Sequence, residues 1–324
     1  MSEPEVRHLR VVRARRARQL RQATAAAGRP LRERLGALER EIDAALAADA
    51  IPGAAGLRAL DVALDELLAA FASLRRGIGA EAVGATVLRG LYRLWWRVDA
   101  VGIERVPAHG RVLLVVNRAG VLLPYEALMV AMALALDHPT GRNAWPLVDD
   151  WVVRLRLGRT LGALGATPGV MRRLLERDEA VIVLPEGREA SGKSRRRRYR
   201  LGGFGRGSFA RVAIETGAPI VPVAAVGAEE SQPVLWRLDA LGRWLGLPTL
   251  PITPTFPWLG PAGLVPLPAK WTLHVGEPLD VAAHHSPDAA RDPRVVALVR
   301  DQVRERLQAL VSEGVRRRHA IFFA

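Results

Sequence analysis

RVLLVVNRAGVLLPYE, residues 111–126, reads as a strand that runs into a turn and then a helix. Arg111–Val116 is a short apolar run ending at Asn117, and Pro124 is placed to start a helix continuing to Leu136. The same pattern recurs downstream. Val148 closes a second apolar run, Val170–Arg177 has the spacing of a short amphipathic helix, and Ala180–Leu184 is a strand leading into LPEGRE at 184–189. Phe204–Thr216 then reads as a helix stopped by Gly217, followed by the buried-looking strand Ile220–Val226. Strands alternating with helices in this way specify an α/β fold, a mostly parallel sheet flanked by helices.

Outward from this centre the chain divides into three regions. Residues 1–83 are rich in Ala, Leu and Arg and are broken by Gly28-Arg29-Pro30 and Ile51-Pro52-Gly53, which predicts an N-terminal helical appendage of about three helices. Arg7, Arg10, Arg13, Arg15, Arg16, Arg18 and Arg21 give its first helix a basic surface that suits either solvent or lipid headgroups. Residues 84–285 hold the α/β domain, and 286–324 a C-terminal helix, Asp292–Arg318, that packs on it. Proline-rich 248–271 is expected to be a long ordered loop, with Phe256, Trp258 and Leu259 either packed on the body, the favoured reading, or dipping into lipid. Trp271–Val275 returns as a strand.

Composition narrows the function. With no cysteine, thiolate nucleophiles, thiolate metal sites and disulfides are excluded, and the seven scattered histidines show no metal-ligand spacing. A formal net charge of +14 predicts attraction to polyanions, whether nucleic acid, an anionic membrane surface or phosphorylated ligands. The basic tracts lack interleaved aromatic residues and match no base-reading module, so nucleic acid ranks last. No apolar core follows a basic start at the N-terminus, and the longest apolar run, Ala127–Leu136, is about half of the roughly 20 residues that a spanning helix requires. The expected location is cytoplasmic and peripherally membrane-associated.

NRAGVLLPYE at 117–126 and LPEGRE at 184–189 resemble the two active-site blocks of the phospholipid/glycerol acyltransferase family, in its bacterial, lysophosphatidate acyltransferase-like branch. The likeness runs from about residue 88 to 281 and includes RYRLGGFGRGSFARVAIETGAPIVPVA at 198–224. It implies a glycerolipid acyltransferase-like fold. It also implies transfer of a fatty acyl group from an acyl thioester, acyl-CoA or acyl carrier protein, to a lysophospholipid or glycerol-phosphate-like acceptor. No metal or prosthetic group is required. By resemblance Asn117 and Glu126 line the first half of the cleft, and Glu186, Gly187 and Arg188 bind substrate in the second.

The first block is degenerate. The family pattern is Asn-His, four residues, then Asp, where the His is the base and the Asp orients it. Here the His position holds Arg118, and the nearest downstream carboxylate is Glu126, eight residues on. A guanidinium stays protonated above roughly pH 12 and has no lone pair to accept a proton, so Arg118 is not a base. His109 stands up to roughly 30 Å back along an extended chain, and His138 lies roughly 20 Å off along a helix. Glu126 is the carboxylate that could act directly, with a pKa expected to be lowered by Arg118 and therefore as a poorer base; the structural alternative is an Arg118–Glu126 ion pair capping a loop. Activity is therefore weakened, or the chain is a lipid- or acyl-CoA-binding homologue without turnover. A remote alternative is a P-loop nucleotide hydrolase, because GREASGKS at 187–194 fits the Gly, four residues, Gly-Lys-Ser pattern with Lys193 and Ser194 as phosphate and magnesium ligands.

Overall fold

The computed structural model describes residues 87–120, 123–149, 152–153, 164–187, 197–238, 249–256, 258 and 265–318. The predicted N-terminal helices, Arg188, Lys193, Ser194 and Leu259 lie outside the described residues. The chain divides into two units, Met1–Leu94 and Trp95–Ala324, and the fold below belongs to the second.

Apolar runs of four to seven residues, bounded by turns, form the middle of the sheet: β2 (Val112–Val116), β5 (Ala180–Val183) and β6 (Ile220–Val226), each buried along its whole length. β1 (Asp99–Val101), β3 (Ala144–Val148), β4 (Leu164–Gly165) and β9 (Thr272–Val275) complete seven strands in the order β1-β9-β6-β2-β5-β3-β4. Every pairing is parallel except β6 with β9. The fold is thus the expected α/β architecture, a mostly parallel sheet with flanking helices. Strands buried on both faces read as continuous Val/Ile/Leu runs, which is why their pattern was unbroken apolar rather than alternating. Pro222 is tolerated inside β6 because the β9 ladder begins one residue later, at Val223, and Pro222 only accepts, from Gly276 N at 2.9 Å.

Helix α1 (Tyr125–Leu136) packs against β3 and β5. The core that holds Leu113 and Val115 of β2, Val181 and Val183 of β5 and Ala224 of β6 is closed by α2 (Pro168–Leu175), α3 (Ser208–Thr216) and α5 (Pro293–Arg317). In α5 the buried residues Val296, Val299, Val303, Leu307 and Val311 recur at three- and four-residue steps, one face of a helix. Among the described residues no helix is long and apolar enough to cross a membrane.

Several boundaries differ from the sequence reading, and α2 runs Pro168–Leu175 where Val170–Arg177 was expected. Pro124 caps α1 from outside, so the helix starts at Tyr125. Helix α3 begins at Ser208 and not at Phe204, because Gly207 takes a left-handed φ of 73° that ends the preceding turn. Proline-rich 248–271 is not loop throughout. Leu250–Ile252 forms β8, which pairs antiparallel with β7 (Trp236–Leu238) in a separate two-stranded sheet, where edge positions accept Pro251.

At the end of β6, Gly227 has φ of 102°, and a Cβ there would overlap the carbonyl oxygen of Lys270. Together the left-handed backbone and the backbone contact leave no room for a side chain. Gly227→Ala is expected to cost about 3 kcal/mol or more, read as a lowered denaturation midpoint at unchanged slope.

Candidate active site

Because β2, β5, β3 and β6 run parallel, their carboxyl ends open on one edge of the sheet, where ligands of open α/β sheets bind. The first block leaves β2 there and the second leaves β5. Asn117 follows β2 directly and is spent on β6: its Nδ2 donates to Ala225 O at 3.1 Å, and its Oδ1 accepts from Ala225 N at 2.7 Å. Two reciprocal bonds to one backbone residue make Asn117 a clamp between strands.

The second block closes on the first through Glu186. Its Oε1 accepts from Arg118 N at 2.8 Å and its Oε2 from Gly202 N at 2.7 Å. Gly187, with φ of 60°, completes the turn by donating to Leu184 O at 3.2 Å. The two blocks, 68 residues apart in sequence, therefore meet at backbone level.

Glu126, in the first turn of α1, points back into the loop. Its Oε1 accepts from Ala119 N at 2.7 Å and also from Gly120 N. Arg118 is 2% exposed, and it pairs with Asp149, not with Glu126 as the capping alternative would have it: Nη1 to Oδ2 is 3.0 Å. Asp149 follows β3, whose carboxyl end shares the edge, so the pair spans from β2 to β3 across β5. Sequence reasoning missed Asp149. The available signal was an acidic residue directly after an apolar run on a strand parallel to β2.

Three buried polar atoms of this loop have no hydrogen-bond partner: Nε and Nη2 of Arg118 and Oε2 of Glu126. Burial raises the Glu126 pKa, opposed by the Arg118 charge and by hydrogen bonds from its own backbone and from those of Gly120 and Ala119. This corrects the expected lowering, since desolvation of a fully enclosed carboxylate outweighs one nearby cation. A carboxyl with raised proton affinity is a stronger base than an ordinary one, and Glu126 keeps one oxygen uncommitted.

Among the described residues His138 offers no second base. His138 is buried and engaged at both ring nitrogens, Nε2 with Val106 O and Nδ1 with Thr140 Oγ1, each at 2.9 Å. Among the described residues no cluster of three His, Asp or Glu could hold a metal ion. A P-loop would need a helix opening near Ser194, yet Arg197–Arg200 is a turn and α3 begins only at Ser208.

Asn117→Ala leaves the N–H and C=O of Ala225 without partners and should lower stability by about 2 kcal/mol, measured by urea denaturation. A carboxyl whose native pKa is raised binds its proton more tightly when folded, so its contribution to stability falls as pH rises from the ordinary carboxylate range through the native value. Glu126→Gln should remove that dependence, matching wild type in mild acid and exceeding it in thermal midpoint near neutrality.

No protein-family model matches the chain. It is 42% identical over 246 residues to the uncharacterized protein Rv0502 of Mycobacterium tuberculosis, an alignment covering 75% of this chain and 68% of the relative. It is 42% identical over 240 residues to the uncharacterized protein ML2427 of Mycobacterium leprae, covering 73% of this chain and 65% of the relative. A solved structure, the 1-acyl-sn-glycerophosphate acyltransferase PlsC from Thermotoga maritima, is similar over 82% of this chain and 98% of its own at 16% identity and a TM-score of 0.46. A likeness at that level says nothing about activity. Identity and coverage with Rv0502 do settle kinship: the chain belongs to the same protein family as these mycobacterial proteins.

Proposed function

We propose that this protein transfers a fatty acyl group from an acyl thioester, carried on coenzyme A or acyl carrier protein, to the hydroxyl of a lysophospholipid or glycerol-phosphate-like acceptor, with Glu126 as the base. One observation carries the reading. At the meeting point of the two blocks that resemble the glycerolipid acyltransferases, the uncommitted buried polar atoms are one carboxylate oxygen and two guanidinium N–H groups. Buried groups left without partners are rare, and they mark places where a protein keeps capacity for a ligand or a reaction.

The step balances with these groups. Glu126 Oε2 takes the proton of the acceptor hydroxyl as its oxygen attacks the thioester carbon. The Arg118 Nε and Nη2 N–H groups stabilise the oxyanion of the tetrahedral intermediate, a role for which a permanently charged donor is suited. On collapse the C–S bond breaks, and the departing thiolate takes the proton back from Glu126. Asn117, Glu186 and Gly187 hold the loops in register, and Asp149 orients Arg118. Arg188, next in sequence after Gly187, belongs to the acceptor side by resemblance. The proposed chemistry needs no metal or prosthetic group, and membrane-resident acceptors of this kind support a proposed site of action at the cytoplasmic surface of an anionic membrane.

A second reading, a lipid- or acyl-CoA-binding homologue without turnover, is favoured by the burial of Arg118 and Glu126, both at 2% exposure or less. Mass spectrometry of products from purified protein, acyl-CoA and mixed lysolipids separates the two. Glu126→Gln should lower the rate about 10²–10⁴-fold, and Arg118→Lys should lower it while leaving Glu126 in place. Product formed at the wild-type rate by Glu126→Gln would overturn the assignment of the base. No product from wild type would leave the binder.

A further inference from the structure

Of the two settings expected for Trp258, packing on the body is not the one found: it is 81% exposed, with Trp236 at 70% and Leu235 at 65%. These three lie at one end of the β7–β8 hairpin. Trp236 is paired with Ile252, and Leu235 N donates to Ile252 O at 2.8 Å. The next residue, Thr253, opens a tight turn in which it receives Phe256 N on its Oγ1 at 2.9 Å and donates its own N–H to Phe256 O at 3.1 Å. Trp258 follows two residues after this turn in sequence.

The hairpin is anchored at the edge where the two blocks meet. Chain leaving β6 turns at Gly227 through α4 (Ala228–Ser231) and reaches Leu235 four residues later. Ser231 O accepts from Leu267 N at 2.6 Å, and Trp271 Nε1 donates to Ser231 Oγ at 2.7 Å. Trp95 and Trp96 hold the far side of the same segment, on Pro266 O at 2.8 Å and Leu267 O at 3.1 Å. A rigid base thus carries an exposed apolar tip.

We infer that Leu235, Trp236 and Trp258 form a bilayer-docking tip that inserts at the interface of an anionic membrane and sets the carboxyl edge of the sheet against its lipid acceptors. This rests on the acyl-transfer reading only for what the docked edge receives. Tryptophan favours the headgroup boundary, where its apolar ring is buried and its N–H stays wet. Three side chains fall well short of the roughly 800 Å² per partner that a stable protein interface buries, whereas peripheral docking needs a few apolar anchors plus surface charge. The charge is suited to it: the chain carries a formal net charge of +14.

The test is flotation of the full chain with vesicles of phosphatidylcholine, with and without phosphatidylglycerol. Wild type should float with the anionic vesicles, and Trp236→Ser with Trp258→Ser should reduce partitioning by about tenfold per tryptophan. Both residues are solvent-exposed, so the fold should survive, which circular dichroism checks. Because the natural chain has no cysteine, Pro254→Cys in the exposed turn and Leu298→Cys on α5 each accept one environment-sensitive dye. The first should report an apolar setting on vesicles and the second should stay in water. Wild-type flotation by the double serine variant, no flotation by wild type, a dye shift at 298 in place of 254, or loss of self-association in place of vesicle binding would each overturn the proposal. Acylation of water-soluble glycerol 3-phosphate keeps the two readings apart: the double variant should retain that rate, and absence of product with any acceptor would fail the catalytic reading while leaving tryptophan-dependent flotation intact.

Discussion

The Glu186 carboxylate is the constraint on which the carboxyl edge depends. By accepting one backbone N–H from Arg118 and one from Gly202, it ties the exits of β2 and β5 to the chain entering α3. Each bond is charge-assisted and partly or wholly buried, so it is stronger than an amide–carbonyl bond and directional as well. Asn117 supplies the matching tie from β2 to β6. Three adjacent parallel strands thereby end in loops whose backbones are fixed by side chains, in a region with no regular ladder to do so.

Enclosing Arg118, Glu126 and Glu186 at one edge is costly in free energy, because charges lose hydration that a single ion pair only partly restores. Asp149 offsets part of the cost for Arg118, and two backbone N–H groups do so for one oxygen of Glu126. Desolvation still dominates at Glu126, whose proton affinity rises. Arg118 is therefore more than a side chain that cannot act as a base. It introduces a permanent cation, an acidic partner from β3 to neutralise it, and a carboxyl held in conditions that make it basic.

The same edge is braced from behind by a polar network around α5. Tyr199, at φ of 58°, donates its hydroxyl to Glu230 and accepts from Gly227 N and from Arg318 Nη1, each at 3.0 Å. Arg318 also pairs with Glu230 at 3.0 Å and donates to Lys270 O at 3.0 Å. Gln308 binds the backbone on both sides of this turn, at Tyr199 O and Leu201 N, each at 2.9 Å. The C-terminal helix, the turn before α3 and the end of β6 thus behave as one body. Stacking of Trp96 on Trp271, ring centroids 4.4 Å apart, with Tyr125 edge-on at 5.2 Å, joins that body to the start of α1 beside Glu126.

By itself the sequence determined the sheet, because apolar runs such as Val112–Val116 and Ile220–Val226 can be satisfied only where both faces are covered, and the helices between them carry their own periodicity and stops. It also determined that Arg118 is not a base, since that follows from guanidinium chemistry alone. Only tertiary structure decided which partner each polar side chain takes. Asn117 reaches Ala225 and Arg118 reaches Asp149 across gaps of 108 and 31 residues, and no local pattern encodes such pairings. The proton affinity of Glu126 was likewise illegible, because its sign depends on whether burial or a neighbouring charge prevails, and burial exists only once the chain has closed. Trp258 makes the same point from outside: a proline-rich stretch does not say which of its aromatic residues faces the core and which faces the solvent.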